Sequence, residues 1–272
     1  MICSMTLQAA NAQITLEQTY PNAYSYSSDI DFGITFFDDT TTKYYLIYYP
    51  NETITLYNMN HSLFLSMTIP VTYNSGNYRI YFITNSLFDC DTSNIEYLVS
   101  YRFYNGVSYV YFVSIYRNNG TQLFNLNNAI IDQCYECNGK DSHGITNTPN
   151  GTKMLLGDYP TGGNEYVYSL CGTLPSGFTS LMNNSYNAFE LSGNYPNPAN
   201  DFTIVNYSLP EGERTGEIIF FDLQGNEVKR FTVDCMFDHL RISTYDLPSG
   251  TYIYALQTSK EISGSRKMIK ID

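Results

Sequence analysis

Between residues 107 and 115 the chain reads VSYVYFVSI, with side chains that alternate at a period of two. Val107, Tyr109, Tyr111, Val113 and Ile115 fall on one face, and Ser108, Val110, Phe112 and Ser114 on the other. The first face is wholly apolar or aromatic and is expected in a core. The second carries serines at its ends but Val and Phe between them, so partial cover is expected there too. Similar runs stand at 32–37, 43–49, 53–58, 62–69, 78–84, 95–101, 153–156 and 165–171. No segment shows a helical period with caps. The composition fits strands as well: 27 Tyr, 16 Phe and no Trp in 272 residues, with only 15% charged. Aromatic and β-branched side chains pack well on a pleated surface. The sequence predicts an all-β protein.

Charge is unevenly distributed. Up to Glu190 there are 6 basic and 15 acidic residues; from Leu191 onward there are 8 and 11 in a much shorter stretch. The join holds Gly172, Pro175, Ser176, Gly177 and Asn183-Asn184-Ser185, which read as a boundary between a region 13–190 and a region 191–272. At the start, Ala10-Asn11-Ala12 is an A-x-A cleavage pattern after a short stretch without Lys or Arg. Residues 1–12 read as the tail of a signal peptide, and export is expected. A net charge of −12 argues against nucleic acid as a partner. No apolar stretch of about 18 residues offers a transmembrane segment.

Region 13–190 contains a repeat. KYYLIYY and TITLYNMNHSLFLSMTI (43–69) are echoed by IEYLVSYR and VYFVSIYRNNGTQLFNL (95–126), with a fainter third copy from Lys153. Each places a polar turn between two strands. The spacing is close to that of propeller blades, but three copies fall short of a closed propeller. Propeller-like blades and a meandering β-sandwich are both expected architectures.

The last part parses into about six short strands: 202–209, 217–223, 227–233, 239–244, 251–258 and 267–271. Gly225 is expected to supply a positive φ to the hairpin turn at Gln224-Gly225-Asn226. Tyr195-Pro196-Asn197-Pro198 should be a stiff, extended entry. Pro248 and Gly250 are expected to flank a turn needing a pre-set and a positive φ. Lys267 and Lys270 put positive charge on the closing strand, where it would protect an exposed edge.

LSGNYPNPANDFTIVNYSLP, IIFFDLQGNEVKRF, ISTYDLPSGTYIYAL and RKMIKI, in this order, resemble a C-terminal sorting domain of the type IX secretion system, the export route of Bacteroidetes-type bacteria. The residues carrying the resemblance are Tyr195, Pro196, Asn197 and Pro198, then Asp222 and Gly225, then Leu247, Pro248, Ser249, Gly250, Thr251 and Tyr252, and finally Lys267 and Lys270. The resemblance implies an immunoglobulin-like sandwich read by the secretion machinery and removed near its N-terminal border. The cargo would then be released or attached to surface lipopolysaccharide. Region 13–190 more loosely resembles exported β-rich modules, with Cys171 in YSLCG where a proline is expected.

Setting aside Cys3 with the signal remnant and Cys235 with the sorting region leaves Cys90, Cys134, Cys137 and Cys171 as disulfide candidates, with three pairings. Cys134-x-x-Cys137 lacks the βαβ surroundings of a redox motif and the second pair of a zinc site. Acidic residues cluster at Asp29, Asp31, Asp38 and Asp39, and at Asp89, Asp91, Asn94 and Glu96, where solvated turns are expected. His61, His143 and His239 do not suggest a catalytic base, and no nucleophile or metalloprotease motif is present. No metal, cofactor or catalytic residue is expected. The sequence predicts a secreted or surface-attached, non-enzymatic protein whose Tyr-rich strands bind an extracellular glycan or surface protein. The alternative is a secreted hydrolase, or an accessory module of one.

Overall fold

The computed structural model describes residues 16–20, 30–70, 76–105, 107–131, 144–159, 163–176, 189–210, 213–235 and 237–272. The signal remnant, Asp29, Cys134, Cys137 and His143 lie outside them. The regular structure of the described chain is strand apart from one short 3-10 turn, with no α-helix, and its four antiparallel sheets do not close into a barrel.

Strands β1 (Ile30–Phe36), β2 (Thr42–Tyr48), β3 (Thr53–Tyr57) and β4 (Leu63–Thr68) form the first sheet, as a meander. A second meander follows: β5 (Gly76–Thr84), β6 (Glu96–Tyr104), β7 (Tyr109–Arg117) and β8 (Gln122–Asn127). The third sheet combines β9 (Ala129–Ile131), β10 (Ile145–Thr148), β11 (Gly151–Asp158) and β12 (Glu165–Ser169). Then come β13 (Glu190–Leu191), β14 (Phe202–Ser208), β15 (Thr215–Phe221), β16 (Glu227–Asp234), β17 (His239–Ser243), β18 (Gly250–Gln257) and β19 (Arg266–Lys270). β16-β15-β18-β19 is a separate sheet, whereas β13, β14 and β17 extend the second meander. The resulting seven-stranded order is β13-β14-β17-β5-β6-β7-β8, so strands from both sides of residue 190 share one sheet.

The sequence repeat has a geometric counterpart. In β3–β4 the Asn58 N–H donates to Ser62 O and the His61 N–H to Asn58 O, and His61 is left-handed at φ 67. In β7–β8 Arg117, Thr121 and Gly120 (φ 84) make the same pair of bonds. Each register slips just before its turn, at Leu56/Tyr57 and at Ile115/Tyr116. Both are three-residue loops with a bulge, a form that needs one left-handed residue. Glycine supplies it in one copy and His61 in the other. The turn at Asp222 to Asn226 repeats the device with Gly225 at φ 84.

Alternation along the strands sets the layers. Tyr97, Val99 and Tyr101 of β6 pack with Tyr45, Ile47, Ile54 and Leu56 of the first sheet. Leu98 faces the other way, into a core with Val113, Ile115, Met154 and Leu156. Farther along, Val205, Tyr207, Leu240 and Ile242 join Ile218, Phe220, Val233, Tyr254 and Leu256 in a third core that also takes in Tyr111. The seven-stranded sheet is therefore covered by β1–β4 on one face. On the other it is covered by β9–β12 and by the sheet containing β15. Both faces of β7 are buried, which exceeds the partial cover expected for its second face. Val107 is not in the strand and is 87% exposed.

Candidate functional site: the C-terminal segment and its seam

The entry Tyr195–Pro198 is stitched to two strands. Tyr195 and Ile204 exchange backbone hydrogen bonds of 2.9 and 2.8 Å. Asn197 donates through Nδ2 to Lys267 O, while its Oδ1 accepts the Ile269 N–H, each at 2.9 Å. Pro196 O accepts the Thr203 hydroxyl and the Asn194 amide. Two prolines withhold donors here, and side-chain amides supply the anchoring instead. At the first hairpin Asp222 accepts the Asn226 side-chain amide at Oδ2 and the Asn226 and Gln224 N–H groups at Oδ1, and these bonds, the amide first, hold its carboxyl below the usual range.

Two expectations need correcting. Gly250 is not left-handed; it opens β18 opposite Lys270, and among the described residues the positive-φ glycines are Gly120, Gly151, Gly163 and Gly225. The turn before β18 is instead closed by Leu247 N–H to Thr244 O, and the Tyr252 hydroxyl donates to Pro248 O at 2.6 Å. Lys270 is buried, because Ala199 pairs in parallel with β19 and covers part of its edge. Arg266 and Lys267 are left exposed there as edge charges.

The C-terminal strands meet the rest of the chain along a polar seam. Arg102 of β6 is 1% exposed; its guanidinium pairs with Asp234 at 3.4 Å and reaches Thr232 O. It also lies 3.9 Å over the Tyr109 ring. The Tyr111 hydroxyl donates to Asp234 Oδ2 at 2.9 Å, and the Tyr207 hydroxyl to Asp234 O at 3.0 Å. Burial opposes the Arg102 charge, but Asp234 outweighs it and keeps the guanidinium protonated. A second cluster centres on Asp238, which pairs with Arg79 of β5 and hydrogen-bonds His239 Nδ1 at 2.8 Å. Burial alone would raise the Asp238 carboxyl; Arg79 and His239 hold it well below the carboxylate range. Next to it, the Tyr49 ring lies tilted 4.5 Å from His239, and its hydroxyl donates to Asp31 at 2.7 Å. Burial, then the Asp238 charge, raises Asp31. Arg241 of β17 pairs with Glu52 at 3.3 Å and covers Phe202. Sequence reading places Asp31 in a solvated turn, assigns His239 no role, and passes over the arginines, Asp234 and Asp238. Their signal was a charge inside an apolar strand, as in EYLVSYRFY around Arg102.

Aromatic side chains gather on the outer face of the first sheet. Phe32 and Tyr44 stack 6.1 Å apart, Tyr44 and His61 5.2 Å apart, and Tyr57 pairs across the strands with Tyr44. Tyr20 lies over this row, 4.8 Å from Phe32 and 5.0 Å from Tyr57, with its hydroxyl 2.9 Å from His61 Nδ1. Thr55 and Ser66 place hydroxyls beside it, 3.4 Å apart.

Cys90 and Cys171 form a disulfide. Gly172 follows because a Cβ there would stand 2.0 Å from Ser86 O, so this glycine serves close packing, not a linker. Cys235, set aside in the sequence reading, is also disulfide-bonded. The acidic clusters cap turns: Asp38 accepts from Thr40 and Thr41, Asp39 from Ser176, and Asp91 from Ser93 and Asn94. Glu96 points inward and accepts the Phe88 and Asp89 N–H groups at 3.0 and 2.7 Å. Burial, then a side-chain hydrogen bond shared with the Asp89 carboxyl, pushes its carboxyl up to about 7, against the two N–H bonds, which lower it. No group of three or more His, Cys, Asp or Glu suited to a metal occurs among the described residues, nor does a helix long and apolar enough to cross a membrane.

No curated protein matches the chain. Among solved structures, the crystal structure of dimeric latent PorU from Porphyromonas gingivalis aligns with 89% of this chain, at 11% identity and a TM-score of 0.27. The alignment covers 29% of the PorU chain, and likeness at that score carries no argument. Residues 194–271 match a family model described as a secretion system C-terminal sorting domain. Such a tail implies handling by the type IX machinery and export to the cell surface or beyond. The match identifies residues 194–271 as a C-terminal sorting domain of the type IX secretion system.

Proposed function

We propose that this chain is a non-enzymatic, surface-attached or released β-protein. Its region 13–190 binds an extracellular glycan or surface protein, and region 191–272 is its address. In this reading the three meanders are propeller-like blades stacked face to face, and the C-terminal strands form an immunoglobulin-like sandwich. Residues Tyr195–Pro198, Asp222, Gly225, Leu247 to Tyr252, Lys267 and Lys270 present the signal to the secretion machinery. The row Phe32, Tyr44 and His61, flanked by Tyr57 and the hydroxyls of Thr55 and Ser66, carries the binding half of the proposal. Ring faces accept the apolar face of a sugar, and adjacent hydroxyls hydrogen-bond its edge.

A glycan array probed with the full chain tests it. The expected result is saturable binding without product release, weakened at least about tenfold by Tyr44→Ala. Binding indifferent to Tyr44 would remove this face from the site, and release of shortened glycan would replace the reading with a degradative one.

A further inference from the structure

We propose that the sorting segment stays with its cargo after a cut at its N-terminal border. Region 191–272 is then a lasting structural partner of the β5–β7 strands as well as an address. Three observations support this. β17 pairs with β5 at Arg241 and Gly76, so the sheet runs unbroken across the join. Ile204 is buried in the core of the first sheet, and Tyr111 in the core of the C-terminal strands, so each part completes the other's packing. Arg102 with Asp234, and Arg79 with Asp238, place opposite charges on the two sides, and Arg102 and Asp234 are each 1% exposed. Parting the two sides breaks these pairs before water can replace them, which slows separation.

Cys235 adds a covalent tie. The chain has six cysteines, and none follows Cys235 or stands between Cys171 and Cys235. The disulfide of Cys235 therefore joins the segment to a residue before position 172, on the far side of any cut between 172 and 194.

The test places a site-specific protease sequence within residues 177–188 of the full chain. Near-ultraviolet circular dichroism before digestion confirms that the inserted chain has kept its native tertiary packing. After digestion, one native chromatographic peak at full mass is expected with or without reductant. A denaturing gel should show one band unreduced and two bands reduced. In Cys235→Ser the digested chain should still elute as one peak, and adding Asp234→Ala and Asp238→Ala should release the fragment. A C-terminal fragment that leaves the digested native chain overturns the proposal. Two bands on the unreduced gel overturn its covalent part. Equal release from Cys235→Ser and from the triple variant overturns the part assigned to the ion pairs.

Discussion

The first and second meanders have the same bulged hairpin and the same cross-strand tyrosine pair, Tyr44 with Tyr57 and Tyr97 with Tyr116. Their surroundings differ. Tyr97 and Tyr116 are buried against the first sheet, with their rings stacked 5.8 Å apart. Tyr44 and Tyr57 lie on an outer face, with Tyr20 as their cover. β6 is buried along most of its length on both faces, whereas Leu63, Phe64, Ser66 and Thr68 of β4 are exposed. One repeat unit thus serves two ends. Where a neighbouring sheet covers it, its aromatic face is core, and its inward charge, Arg102, can hold the sorting segment. Where no sheet covers it, the same face lies under Tyr20, and it is the face proposed above to take a ligand.

The sharpest break in this comparison lies at the seam. Asp234→Ala strands Arg102 in the interior and should cost about 3–5 kcal/mol, read as a lower urea midpoint at unchanged slope. A midpoint near wild type would mean that the seam is not holding the parts together. The tyrosine pairs give the matched test: Tyr97→Ala should cost about 3 kcal/mol or more, and Tyr44→Ala about 1 kcal/mol. Equal losses would erase the distinction between covered and open faces. Glu96 gives an effect between those of Tyr97 and Tyr44, on the order of 2–3 kcal/mol. Its carboxyl titrates near 4.5 when unfolded and near 7 when folded, so the native chain binds the extra proton between those values. That contribution is full below about pH 4.5 and is lost as pH rises through about 7. Asp238 acts in reverse, contributing above the unfolded aspartate range and losing its contribution on acidification. Thermal melts of Glu96→Gln should show a smaller fall in stability from pH 5 to pH 7.5 than the wild type.

Much of this was legible in the sequence, because strands and turns are local. Alternation marked most of the strands, Asn118-Asn119-Gly120 marked a hairpin, and the Tyr195–Pro198 and Leu247–Tyr252 landmarks marked the tail. The turn at His61 was legible from its asparagines, but its left-handed backbone was not, since glycine is the residue that advertises that conformation. Long-range matters stayed hidden. Period-two patterning shows that a face must be covered but does not say by what, so β17 beside β5 could not be read. The same limit explains Lys270: a lysine on a closing strand suggests an exposed edge until Ala199 is seen to pair there. Cysteine bookkeeping included Cys90 and Cys171 but missed Cys235, for a related reason. Assigning Cys235 to its own region assumed that the join separates two independent units.

Hydrogen exchange of the full chain in rising urea, followed by peptide mass spectrometry, bears most directly on the central claim. Peptides from β6 and from β16–β17 should lose protection together, at one opening free energy. Loss of protection in β16–β17 while β6 remains protected would show that the sorting segment is an independent appendage, and would contradict this account.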